Sequence, residues 1–71
     1  MDFKQLEFST FMIGCVAMRL KQPCSKVYRM MKEKNVINDF IVGCYDSLHA
    51  FSREYATDEV IKYMKHKGVI I

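Results

Sequence analysis

The residues best suited to chemistry crowd into YDSLHAFSREY, residues 45–55, where Tyr45, Asp46, His49, Ser52, Arg53, Glu54 and Tyr55 stand together. On a helix Tyr45 and His49 are four apart and Asp46 and His49 three apart, so the Asp46 carboxylate is placed to hold one imidazole tautomer. An enzyme would also need a nucleophile within reach of that ring, and Cys44, five residues from His49, falls on a different helical side. Catalysis is therefore not expected. His49 and Tyr55 are expected to be partly buried groups that hydrogen-bond the end of one helix to the next loop. Tyr45, Asp46, His49, Arg53 and Tyr55 are the candidate partner contacts of this stretch, because Tyr, His and Arg on exposed loops often anchor binding.

Nothing else in the chain offers a reactive constellation. His66, in KHKG, is flanked by lysines and reads as a solvated residue near a helix end. Cys15, Cys24 and Cys44 form an odd set without a CxxC pair, so reduced thiols are expected, with Cys15 and Cys44 in the core and Cys24 exposed. No metal and no cofactor is expected. Six methionines are many for 71 residues. Met12, Met18, Met30, Met31 and Met64 sit at apolar positions, where thioethers fill irregular gaps or serve adaptable interfaces. The formal charge of +3 is modest for a nucleic-acid binder. Lys26, Arg29, Lys32, Lys62 and Lys65 are the only basic set to consider, and no reading helix accompanies them.

These residues must be positioned by helices. From Phe3 to Leu20 the polar or small positions Glu7, Thr10, Gly14, Ala17 and Lys21 recur every three or four residues, marking one side of a helix that is otherwise apolar nearly all round. Such a helix is central or shared between chains, which makes Phe8, Phe11 and Met18 candidate partner-binding residues as well. Pro23 is expected to end it. Ser25 then caps a short second helix carrying Val27, Met30 and Met31 inward. A third is expected from about Asn38, with Ile37, Phe40, Ile41, Cys44, Leu48 and Phe51 at helical spacing and Gly43 as its weak point, a place for a bend or a close approach. Residues 52–56 read as a loop, and Thr57 as the cap of a fourth helix opening on Asp58 and Glu59, with Asp58 and Lys62 spaced for a surface ion pair.

KEKNVI and KHKGVI, 33 residues apart, read almost alike. Asn35 and Gly68 both tolerate the left-handed conformation found just past a helix end, and lysines suit the negative end of a helix dipole, so the echo predicts two helix stops that pair Val36 with Met31 and Val69 with Met64.

The run Val27–Met64 resembles a family of short bacterial proteins known as domain of unknown function 3791. The likeness is carried by VY before a short helix, a stop followed by VI, the YDxLH stretch of Tyr45, Asp46, Leu48 and His49, then Glu54 and Tyr55, and an acidic start to a last helix at Asp58 and Glu59. Asn35 stands where glycine would be expected before VI. No activity comes with the resemblance. Genes of that family often stand beside genes for ADP-ribosyltransferase-like proteins, which implies a partner or antitoxin role.

The expectation is a small compact all-α domain of four helices spanning 1–71, with helix 1 central. Its function is expected to be a non-enzymatic protein-interaction module in the cytoplasm. The alternatives are a homodimer built on the Gly14 and Ala17 side or the Phe8, Phe11, Cys15 and Met18 side of helix 1, and a weak nucleic-acid-binding protein. A membrane span needs roughly 20 consecutive apolar residues, and the longest run breaks at Arg19. Asp2 and Glu7 stand where a secretory leader would carry basic residues.

Overall fold

Asp2 begins the fold by closing a reciprocal cap: its carboxylate accepts from the Gln5 N–H at 2.8 Å while the Gln5 side chain accepts from the Asp2 N–H at 3.1 Å. Two otherwise orphan donors are thereby satisfied, and helix α1 runs from Phe3 to Leu20. The computed structural model describes residues 2–69. Ile70, the last residue of the KHKGVI echo, lies outside them. The other elements are α2 (Cys24–Glu33), a π-helical segment (Ile37–Val42), α3 (Tyr45–Leu48) and α4 (Arg53–His66). The architecture is all-helical, and α1 packs against α2, the π segment and α4. Its Cα radius of gyration, 10.8 Å, is close to the roughly 11 Å of a compact chain this long.

The core is built from Met12, Val16 and Ala17 of α1, Val27 and Met31 of α2, Val36, Ile41 and Leu48 of the middle, and Ala56, Val60 and Met64 of α4. Ala17 therefore belongs to the inner face of α1, not to its polar side. Cys44 is half-buried against the core, Cys15 is half-buried without joining it, and Cys24 is exposed.

Both stops marked by the echo are present. Asn35 and Gly68 have φ of 55° and 90°. At Gly68 the Val69 N–H donates to the Met64 carbonyl at 2.9 Å and the Gly68 N–H to that of Lys65 at 3.1 Å, the paired bonds of a Schellman stop. At Asn35 the N–H reaches Lys32 O at 3.1 Å. A third stop was not expected. Lys21, with φ 57°, closes α1 through Lys21 N–H to Met18 O and Gln22 N–H to Ala17 O, so the helix ends before Pro23 is reached. Pro23 instead sits at the head of α2, whose first residue is Cys24; Ser25 is inside that helix and does not cap it. A proline is tolerated there because the first N–H groups of a helix lack partners anyway.

The expected third helix is broken. Residues 37–42 are wound as a π-helix, the chain turns at Gly43 and Cys44, and α3 is a single turn. Glycine is required at the turn because a Cβ on Gly43 would lie 2.6 Å from the Asp39 carbonyl oxygen. The fourth helix also starts earlier than expected. Ser52 is its cap, accepting from the Tyr55 N–H at 3.2 Å, whereas Thr57 is buried within the helix and donates to Arg53 O at 2.7 Å. Ser52→Ala is accordingly expected to cost about 1 kcal/mol, read as a lower urea midpoint at constant slope. An unchanged midpoint would mean that the first turn, 53–56, is not helical in solution.

Around the outside, Asn35 Nδ2 donates to Asp39 at 3.0 Å and Lys67 Nζ lies 3.6 Å from the same carboxylate, tying the ends of α2 and α4 to the π segment. Phe40 stacks on Tyr63 at 4.3 Å beside them. Asp58 pairs with Arg19 of α1, not with Lys62; Lys62 pairs with Glu59 at 3.7 Å. Both are exposed pairs and contribute little to stability.

Candidate partner-binding face

Lys4, Phe8, Phe11, Cys15 and Met18 follow one another at four- and three-residue steps, so they form one stripe along α1. Only Phe8 of the stripe packs against the core. Phe11 remains 49% exposed and Met18 81%, although both are large and apolar. Beside the stripe run α3 and the start of α4, and between them lies a groove of about 800 Å³. Phe8, Phe11 and Met12 form one wall and Tyr45, Leu48, His49 and Phe51 the other, with Lys4, Glu7 and Arg53 at the rim. Arg53 also lines a smaller hollow with Cys15, Met18 and Glu54, which extends the same face along α1.

The far wall is held by ring contacts. Tyr45 meets Phe8 edge to face at 5.4 Å, and His49 stacks flat on Tyr45 at 4.7 Å, so the α1 stripe and the 45–55 segment are joined through one aromatic ladder. Phe51 and Tyr55, 42% and 52% exposed, pack edge to face at 4.6 Å at the open end. The His49 ring is oriented differently from the sequence expectation. Its Nδ1 lies 3.2 Å from the backbone oxygens of Tyr45 and Asp46, and not against the Asp46 carboxylate. Carbonyls only accept, so Nδ1 is the donor in these contacts. His49 and Tyr55 are exposed rather than partly buried. Asp46 is exposed as well, outside the groove lining.

The structure thus brings Phe8, Phe11, Tyr45, His49 and Arg53 into one groove and Met18 into the adjoining hollow, while Tyr55 touches the groove only through the ring of Phe51. Sequence reasoning missed Lys4, Glu7 and Phe51 as part of it. Lys4 is recoverable from its four-residue step to Phe8; Phe51 is not, because its helical spacing from Leu48 pointed inward.

The family described as protein of unknown function (DUF3791) has a model that matches residues 7–67 of the 71. The chain belongs to that family. The match takes in both walls of the groove, so the face is part of the DUF3791 domain itself. Neither a curated protein nor a solved structure matches this DUF3791 chain. Among its described residues no group of three or more His, Cys, Asp or Glu side chains is arranged to hold a metal ion. Nor, among them, is any helix long and apolar enough to cross a membrane.

A second hollow of about 450 Å³ lies between α1, α2 and the π segment, lined by Leu6, Ile13, Tyr28, Met31 and Ile37 with Lys32 and Asn35 at its edge. The Ser9 hydroxyl, also in its lining, is buried without a hydrogen-bond partner.

Proposed function

We propose that this DUF3791 chain is a non-enzymatic protein-interaction module, serving in the antitoxin-like partner role that its family resemblance implies, with an ADP-ribosyltransferase-like neighbour as the partner to test. The observation that supports the reading is the groove: exposed Phe11 and Phe51 around an apolar floor, rimmed by Lys4 and Arg53. Large aromatic side chains left in water cost free energy that a partner recovers on covering them, and Tyr and Arg are the residue types that most often dominate binding. A partner segment with an apolar ridge and a carboxylate for Lys4 or Arg53 fits this chemistry. The basic residues of α2 and α4 give a weaker case for nucleic acid, since the formal charge of +3 is modest and no reading helix accompanies them.

Co-expression with the product of the adjacent gene, followed by capture of either chain, is the direct test. A complex stable at micromolar concentration is expected. Phe11→Asp and Arg53→Glu should each weaken it at least about tenfold, in the range of a strong interface residue, while leaving the helical circular-dichroism signal in place. Absence of a complex, or a complex indifferent to both substitutions, would count decisively against the groove as the binding site.

A further inference from the structure

Gly14 is unexplained by the chain that contains it. It lies in the middle of α1, where glycine costs helical stability relative to alanine, and neither a positive φ nor a close neighbour calls for it. A Cβ built there meets nothing within 4 Å. The open space above Gly14 is bracketed by the two exposed apolar side chains Phe11 and Met18, three residues before it and four after. Farther out stand Glu7 on α1 and, in the left-handed conformation just past the helix end, Lys21, each seven residues from Gly14 and each exposed. Among the described residues neither is in an ion pair.

Apolar side chains thus stand on both sides of Gly14, with opposite charges beyond them. We infer that the ridge is the contact for a second copy of the chain, with two α1 helices crossing antiparallel on a two-fold axis at Gly14. A helix backbone can approach closely only where the facing side chain is absent, which gives Gly14 its use. The axis lays Phe11 of one protomer against the partner's Met18, a favourable thioether–aromatic contact, and repeats it on the other side. Glu7 then faces the partner's Lys21, again twice. A parallel pairing would set Glu7 against Glu7 and Lys21 against Lys21, so the charges select the antiparallel one. The ridge shares Glu7 and Phe11 with the groove and Met18 with the hollow beside it, so pairing and groove binding draw on one face, and sedimentation of the chain alone reads pairing without a groove partner. Its small apolar centre places it among weak interfaces, with dissociation in the range of about 10–100 µM.

Sedimentation equilibrium from about 10 µM to 1 mM tests it. A monomer–dimer equilibrium is expected. Glu7→Lys and Lys21→Glu should each weaken association about tenfold, because the axis repeats the repulsion, and the double variant should recover the wild-type constant within about threefold. Gly14→Leu should abolish association with helix content unchanged, its side chain pointing into open space. Phe51→Ala, on the far wall of the groove and away from Met18, should leave association unchanged. A strictly monomeric chain over the whole range overturns the inference. So does a charge-swapped double variant that fails to recover, a Gly14→Leu chain that still pairs, or loss of pairing in Phe51→Ala, which would put the contact in the groove instead.

Discussion

Gly43→Ala is expected to destabilise the fold by about 2 kcal/mol, and the sign matters more than the size. Were residues 38–51 one continuous α-helix, as their apolar spacing predicts, alanine in place of glycine would raise stability by about 1 kcal/mol through helix propensity. The π winding of Ile37–Val42 instead leaves the Asp39 carbonyl oxygen 2.6 Å from where a Cβ must go. That oxygen belongs to the backbone and cannot swing aside as a flexible side chain would. Relief requires shifting the π segment, whose Ile41 is fully buried, and overpacking of this kind costs about 1–3 kcal/mol. Gly43→Val should cost more still. The readout is the urea midpoint of each variant, and a Gly43→Ala chain as stable as wild type would show that the break is absent. The break also has a functional consequence. It turns α3 so that Tyr45 reaches Phe8 and His49 stacks behind it. A variant that straightens the helix should lose the groove's far wall along with its stability.

The contrast between the two glycines shows what a sequence can and cannot disclose. Gly43 and Gly14 each interrupt an apolar helical pattern, and composition treats them alike. In the fold one is forbidden a side chain by a backbone atom and the other faces empty space. Features written in local backbone chemistry were legible: the extent of α1, and the left-handed stops at Asn35 and Gly68 with lysines before them. Where two local signals competed, the wrong one was preferred. Ser52 and Thr57 are both capping types, and the acidic pair after Thr57 favoured it, yet burial of Thr57 on the inner face of α4 leaves capping to Ser52. Pro23 is a helix breaker by composition, but Lys21 had already turned the chain. The candidate site was legible as two separate halves, the α1 stripe and the 45–55 segment. Periodicity assigns residues to a face of their own helix and says nothing about which face meets which loop, so the aromatic contact that unites the halves belongs to tertiary packing alone.

Met12→Ala is expected to remove about 3 kcal/mol, while Met18→Ala, six residues on in the same helix, should change stability by less than about 0.5 kcal/mol. The two methionines have the same chemistry and the same propensity, so the difference isolates burial. Met12 is fully enclosed, on the inner face of α1 beneath the groove, and truncating it leaves a cavity among side chains that already lack solvent contact. A chain of 71 residues has a total stability of roughly 4–10 kcal/mol, so this one change consumes a large share of it. Met18 is 81% exposed and loses almost nothing in a solitary chain. Its cost should appear instead in association, where its thioether is the surface a second copy covers. Thermal unfolding of both variants at about 1 µM, where the chain is mainly monomeric, should therefore separate them by more than about 2 kcal/mol; equal loss would mean that α1 rolls about its axis in solution and buries Met18 in turn. Repeated at about 1 mM, the same comparison should show the Met18→Ala chain missing the concentration-dependent gain in midpoint that pairing confers on the wild type.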